Sequence, residues 1–360
     1  MSGFVEQLAE LQRTGARILW VVTEEEERAV ALCRAAFGAP GGPAVAVWSR
    51  TRGMQLGAKG EVVPAPDGRA ALDALFRGGD ERPTVALLLD FHRELEDRDV
   101  ARRLRDLLPA FYRQRRCAVV IAPRLAVPEG LQTEVTALRL PLPGAAELAQ
   151  ILAAMQGEAV RAAPDAAHAA VTAAAGLAYT QAQRAFNRAL HVDAALGPAA
   201  LAAVLEEKKR VLAQGRGLEL VEAVERPEDL GGLEGFKAWI AERALAFAPG
   251  ARAFGLAEPR GVMLLGVQGC GKSLAAKVVA SVLRTPLLRL DLPRVLAGEG
   301  AEEGLSRALE AAEAIAPVAL WVDEIEKGFA GSAPGQGSDA RASRLLGAFS
   351  TWLQERRSAV

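Results

Sequence analysis

Gly266-Val267-Gln268-Gly269-Cys270-Gly271-Lys272-Ser273 decides how the second half of this chain is read. The stretch stands between an apolar run, Val262–Leu265, and a helical pattern over 274–283. The run predicts a strand and the pattern a helix, so the eight residues form a strand-to-helix turn. They fit G-x-x-x-x-G-K-[ST] at every position. A loop that wraps phosphate oxygens turns its backbone N–H groups inward, and glycines are needed where a side chain would collide. The helix beginning near Lys272 aims its positive end at the same point. Lys272 is placed to reach the β- and γ-phosphates of ATP, and the Ser273 hydroxyl to ligate Mg2+. The candidate ATP-binding residues are therefore Gly266, Val267, Gln268, Gly269, Cys270, Gly271, Lys272, Ser273 and Leu274. A chance glycine-rich turn would have to match the Lys-Ser placement and both flanks by accident.

Downstream, Val318-Ala319-Leu320-Trp321-Val322 is an apolar strand pattern that runs into Asp323-Glu324. The distance from Lys272 lets this strand sit beside the strand of the loop. Asp323 is expected to hold the Mg2+ shell through water. Glu324 is expected to polarise a water for attack on the γ-phosphate. Lys272 and Glu324 are thus the candidate catalytic residues, and Ser273 and Asp323 the candidate Mg2+ residues. Alone, an apolar run followed by Asp-Glu also marks a helix start; the loop upstream gives it meaning.

Around these motifs the second half predicts helices over 233–247, 302–315 and 340–356, and a further strand over 287–290. The first half alternates in the same way. Short apolar runs at 18–22, 44–48, 85–89, 118–122 and 138–142 predict buried strands, with helical patterns at 24–37, 68–76 and 100–114 between several of them. Apolar strands alternating with helices imply a parallel sheet covered on both faces. Residues 144–214 are Ala-rich and helical, broken at Gly157, Pro164, Gly176 and Gly197-Pro198.

The chain has 360 residues, 51% of them hydrophobic and 24% charged, with a formal net charge of -1. That balance supplies no whole-chain basic field for nucleic acid. Three cysteines, Cys33, Cys117 and Cys270, lie too far apart for a zinc pattern and suit a reducing compartment. No run approaches the ~18 apolar residues of a membrane span. His92, His168 and His191 are scattered without metal spacing.

At this point the chain resembles the AAA+ ATPase superfamily, and within it the group containing the chloroplast and cyanobacterial Ycf46 protein. The resemblance rests on Asp229-Leu230-Gly231-Gly232-Leu233-Glu234, Pro259-Arg260-Gly261-Val262, the loop itself, Leu288-Arg289-Leu290-Asp291, Leu320–Phe329 and Thr351–Glu355. It implies that Leu230 and Gly231 pass near the adenine, although a glycine pair is also an ordinary turn. It implies ATP and Mg2+ as cofactors, an unidentified protein partner, homo-oligomeric full-length relatives, and a cytoplasmic or plastid-stromal location.

The first half resembles the same template with its chemistry removed. At 18–22 a strand stands where the P-loop strand belongs, yet Thr23-Glu24-Glu25-Glu26-Glu27-Arg28 follows it in place of glycines and lysine. Carboxylates suit a helix N-terminus but repel phosphate. Leu87-Leu88-Leu89-Asp90 resembles the acid-bearing strand, with Phe91 in the place of the catalytic Glu. Asp90 either caps that strand or binds metal. The expected architecture is α/β: a degenerate AAA-like sheet domain over 1–143, a lid-like helical bundle over 144–214, a connector over 215–232, and a P-loop AAA+ core over 233–360.

Two departures from the pattern stand out. The family continues after the segment matched by Thr351–Glu355 into a sensor strand, an arginine finger and a lid, which suggests a C-terminally truncated chain with impaired turnover. No aromatic occurs between Leu287 and Leu320, where polymer-threading relatives carry one on a pore loop. Two functions follow from the motifs: ATP hydrolysis coupled to remodelling or regulation of a partner, and a nucleotide-dependent scaffold with little hydrolysis. A P-loop kinase or strand-exchange protein fits less well, because no acceptor or DNA signature accompanies the loop.

Overall fold

The strand Ile18-Leu19-Trp20-Val21-Val22 shows why the first half folds as a covered sheet. Ile18 and Trp20 point into one apolar cluster, while Leu19 and Val21 point into a second on the opposite face. Period-2 alternation with both faces apolar demands a layer of helices on each side. A computed structural model describes residues 2–38, 42–56, 61–76, 84–155, 164–215, 217–247, 251, 254–255, 259–296, 301–323, 325, 338–356 and 360. It divides the chain into two units, Met1–Pro141 and Leu142–Val360.

In chain order the first unit has α1 (Ser2–Thr14), β1 (Ile18–Val22), α2 (Glu26–Phe37), β2 (Ala44–Ser49), β3 (Gly53–Leu56), β4 (Glu61–Val63), α3 (Gly68–Ala74), β5 (Thr84–Leu89), α4 (Arg98–Arg113), β6 (Cys117–Ala122) and β7 (Val135–Arg139). The sheet order is β4-β3-β2-β5-β6-β1-β7. Strands β2, β5, β6, β1 and β7 run parallel, and β3 and β4 add an antiparallel margin. Helices α3 and α4 cover one face through Leu72, Leu104 and Phe111. Helices α1 and α2 cover the other through Leu8, Leu32 and Phe37. The two buried tryptophans keep their polar edges satisfied: Trp20 Nε1 donates to the Arg124 carbonyl at 3.0 Å, and Trp48 Nε1 to the Ala65 carbonyl at 2.9 Å.

The parallel core matches the sequence expectation, with differences of position. β7 lies over Val135–Arg139 rather than 138–142. Its register pairs Ile18 with Val135 and Val22 with Arg139, and Leu140 adds one bond to the Val22 carbonyl. Pro141 then has no N–H to continue the ladder. Helix α1 and the β3–β4 hairpin were not legible: the strands are only 4 and 3 residues long, too short for a periodic signal.

The second unit opens with α5 (Ala145–Met155), α6 (Pro164–Ala174), α7 (Tyr179–Val192) and α8 (Pro198–Gly215), joined by one apolar cluster around Phe186 and Leu177. It continues with β8 (Leu218–Val221), α9 (Glu234–Ala244), α10 (Lys272–Leu283), β9 (Leu287–Leu290), α11 (Leu292–Leu296), α12 (Ala301–Ile315), β10 (Ala319–Val322) and α13 (Ser338–Glu355). The second sheet has the order β10-β9-β8, with β9–β10 parallel and β8–β9 antiparallel. The segment expected as a connector therefore supplies a strand. Gly217 accepts a bond from Asp291 N at 2.7 Å, which locks β8 onto the sheet.

One expectation is corrected here. Residues 262–265, read as the strand leading into the loop, form no strand pairing among the described residues. Met263 is 71% and Leu265 86% exposed. The physical reason lies in their neighbours. In the first unit β6 stands between β1 and β5 and gives β1 a partner. In the second, β10 pairs only with β9 among the described residues, and no described strand lies between it and residues 262–265. An apolar run without a ladder partner stays extended and exposed.

Candidate nucleotide-binding site

The loop closes on two glycines in the left-handed region, Gly269 at φ 82° and Gly271 at φ 88°. A side chain at either would be strained, which is why the turn needs glycine there. Gly271 is the N-cap of α10, and its carbonyl accepts the first helical bond, from Ala275 N at 2.8 Å. The apolar pattern after Ser273 makes α10 amphipathic: Leu274, Ala275 and Val278 form a small cluster with Leu264, Phe236 and Leu230. Ser273 at the start of the helix is exposed.

Lys272 folds back over the loop. Its Nζ donates to the Gly266 carbonyl at 2.8 Å and the Val267 carbonyl at 2.9 Å, and lies 3.9 Å from Cys270 Sγ. The ammonium is thus held across the mouth of the turn by oxygen ligands. Cys270 is exposed, in contrast to Cys33 and Cys117, whose thiols burial pushes up to about 12. Those two are inert at neutral pH.

Leu230 lies beside the loop. It is 3% exposed, and a Cβ added to Gly271 would lie 3.8 Å from its Cδ1. Leu230 ends the short 3-10 turn Pro227–Asp229, which is capped by Arg226 N donating to Asp229 Oδ2 at 2.7 Å. Gly231 is exposed, and a Cβ added there would meet open space. A contact that sequence reading missed fixes this approach: Lys277 on α10 pairs with Glu225 at 2.6 Å and holds that carboxyl below its usual range.

Asp323 follows β10 directly. Arg289 Nη2, on the neighbouring strand β9, lies 3.6 Å from its Oδ2. The same guanidinium stacks over Trp321 at 5.2 Å. Arg289 sits opposite Trp321 in the β9–β10 register, so the pairing follows from the ladder. Helix α10 approaches β10, which brings the loop's helix and the acid-bearing strand into one region. Glu324 lies outside the described residues. The Ser273 hydroxyl and the Asp323 carboxylate are hard oxygen donors of the kind Mg2+ takes, and the donor set fits that ion.

The corresponding end of the first sheet is built differently. After β1, Thr23 N bonds the Ala122 carbonyl and its Oγ1 accepts from Glu25 N at 2.9 Å. Arg28 bonds Glu25 and the Pro141 carbonyl. Asp90 turns the chain after β5 with φ 52°, and its carbonyl accepts from Arg93 N. The buried His92 places Nδ1 3.8 Å from Asp90 Oδ1. Among the described residues no group of three or more His, Cys, Asp or Glu side chains comes together to hold a metal. Nor does any described helix have the length and apolarity to cross a membrane.

Comparison with known proteins agrees with this division. Residues 4–140 match the N-terminal domain of SpoVK-like AAA ATPases, residues 145–215 match their second domain, and residues 262–360 match the ATPase family associated with various cellular activities. The AAA domain-containing protein ycf46 of Guillardia theta is 32% identical over 362 aligned residues, covering 99% of this chain and 71% of the relative. The ycf46 protein of Trieres chinensis is 28% identical, covering 99% and 72%. The proteasome-activating nucleotidase of Thermococcus gammatolerans is 35% identical over 115 residues, 29% of each chain. With a match to ycf46 over 99% of its length and the glycine-lysine loop at the start of α10, the chain belongs to the AAA ATPase family, in its Ycf46-like group.

Proposed function

We propose that this chain binds ATP with Mg2+ at Gly266–Ser273 and couples ATP hydrolysis to remodelling or regulating a protein partner. The observation that carries the reading is the Lys272 ammonium. It sits at a glycine turn on a helix N-terminus and is held by the Gly266 and Val267 carbonyls, ligands that phosphate oxygens can replace. Lys272 then binds the β- and γ-phosphates, while loop N–H groups orient them. Leu230 packs beside the loop and contributes to the adenine pocket, with Gly231 next to it in the chain. Ser273 and Asp323 are the residues that hold Mg2+, which when bound neutralises charge on the phosphates. Glu324 orients the attacking water and accepts its proton.

A nucleotide-dependent scaffold with little turnover is the second reading. It is favoured by Arg289 beside Asp323, which must share or release that carboxylate, and by the unpaired segment 262–265. One pair of variants separates the two. Under the first reading, Lys272→Ala loses ATP binding, and Glu324→Gln keeps binding but loses phosphate release and partner activity. Partner activity that survives Glu324→Gln and disappears with Lys272→Ala selects the scaffold. ATP affinity unchanged in Lys272→Ala overturns both.

A further inference from the structure

The turn between α6 and α7 rests on the end of α12. Gly176 adopts φ +83°, and an ideal Cβ there would lie 2.2 Å from Ile315 Cγ1, 2.9 Å from its Cδ1 and 3.4 Å from the Ala311 carbonyl oxygen. The bundle's backbone therefore sits on Ile315 with no room for a side chain. Leu177, the next residue, is fully buried in the bundle. Ile315 is the last residue of α12 and belongs to the second core with Val318, Leu288 and Leu290. The opposite side of the α12 end is also held, by Trp352 Nε1 donating to Glu313 Oε1 at 2.8 Å. From Ile315 the chain passes through buried Val318 straight into β10, and β10 ends at Asp323. Packed elements move as units rather than deform, so a displacement at Ile315 is carried along β10.

We propose that Gly176 is a positioning residue: by seating the helical bundle on Ile315, it sets α12 and β10 and thereby the carboxylate of Asp323. The bundle then governs the Mg2+-dependent part of nucleotide binding. The inference rests on the reading of Asp323 as a Mg2+-shell residue. Binding of a fluorescent ATP analogue to the full chain, measured with Mg2+ and with EDTA, tests it. Gly176→Ala is expected to cut the Mg2+-linked gain in affinity about tenfold, within the usual range of coupling between sites. Affinity in EDTA should stay within about twofold of wild type, and Ile315→Ala placed in Gly176→Ala should restore most of the gain by reopening the space. A merely structural role would lower both affinities together. Should Gly176→Ala fail to fold, Ile315→Ala alone, which removes the seat without crowding the backbone of the turn, carries the same measurement and should lower the Mg2+-linked gain. A Mg2+-linked gain left intact by the substitution, or a double variant no better than the single one, overturns the proposal. A wild-type chain with no Mg2+-linked gain overturns the reading of Asp323 beneath it.

Discussion

β1 and the segment 262–265 hold the same place in the two halves of the chain: each precedes a helix that is followed by a parallel strand and then an acid-bearing strand. Their surroundings are opposite. β1 is laddered on both sides, by β6 and β7, and its Ile18, Leu19, Trp20 and Val21 are all buried. Residues 262–265 have no ladder among the described residues, and Leu265 is 86% exposed. The chemistry is distributed the other way. Four glutamates and Arg28 follow β1, while glycines and Lys272 follow residues 262–265. A well-buried sheet and a phosphate loop are thus separable properties: the first depends on having neighbours, the second on a local turn. The acids at the ends of the equivalent strands differ too. Asp90 faces a buried histidine, whereas Asp323 faces Arg289.

A large loss of stability is expected from this contrast in the first half. Trp20 is fully buried and donates to the Arg124 carbonyl. Trp20→Ala leaves a cavity and an orphaned acceptor, and should cost about 3–5 kcal/mol in urea unfolding. ATP binding by the second half should persist at denaturant concentrations where the first half of the variant has melted. Loss of nucleotide binding in step with that melting would show that the second half does not hold its loop alone.

Next in size is Lys272→Ala. It removes the cation that holds the Gly266 and Val267 carbonyls and that is proposed to meet phosphate. Charge-assisted bonds of this kind are worth about 1.5–3 kcal/mol, so ATP affinity should fall roughly 10- to 100-fold by titration calorimetry. Stability should barely change, because the residue is not part of the core. An equal loss of stability would mean that the lysine serves as a structural clamp.

A smaller effect separates the two acids. Burial lowers the pKa of His92, against the opposing pull of Asp90. The folded first half therefore resists a proton that the unfolded chain accepts. The sign follows: the stability this neutral histidine retains is present above its ordinary value of about 6.5 and declines as pH falls through it. His92→Gln should flatten that decline in unfolding curves taken between pH 5 and pH 7.5, a range set around the ordinary histidine value. A slope unchanged by the substitution would move the titration to another group.

How much of this was legible in the sequence follows from the same physics. β1, β5 and β6 announce themselves because strands buried on both faces are continuous apolar runs. The loop announces itself because glycine, lysine and serine have few substitutes at its positions. β8 was hidden in Leu218-Glu219-Leu220-Val221. An edge strand carries a weak signal, and its pairing with β9 is a long-range event. Arg289 beside Asp323 was equally hidden, since it depends on register between two strands far apart in sequence. Residues 262–265 misled for the converse reason: their composition is that of a buried strand, but pairing is decided by what stands next to them.

That last point yields the smallest expected effect and the sharpest test of the comparison. Leu265→Asp places a charge on a side chain that already faces solvent. Exposed substitutions away from special features change stability by no more than about 0.5 kcal/mol. The same change at Val21 in β1 buries an unpaired charge between two layers and should prevent the first half from folding. Urea unfolding followed by circular dichroism, with both variants alongside the parent, reads the pair directly. If Leu265→Asp costs about 2 kcal/mol or more, a value typical of core positions, the segment is laddered in solution and the contrast with β1 collapses. If it costs nothing while Val21→Asp unfolds the first half, the P-loop is presented by a segment that owes its position to α10 and the Leu230 cluster rather than to a sheet.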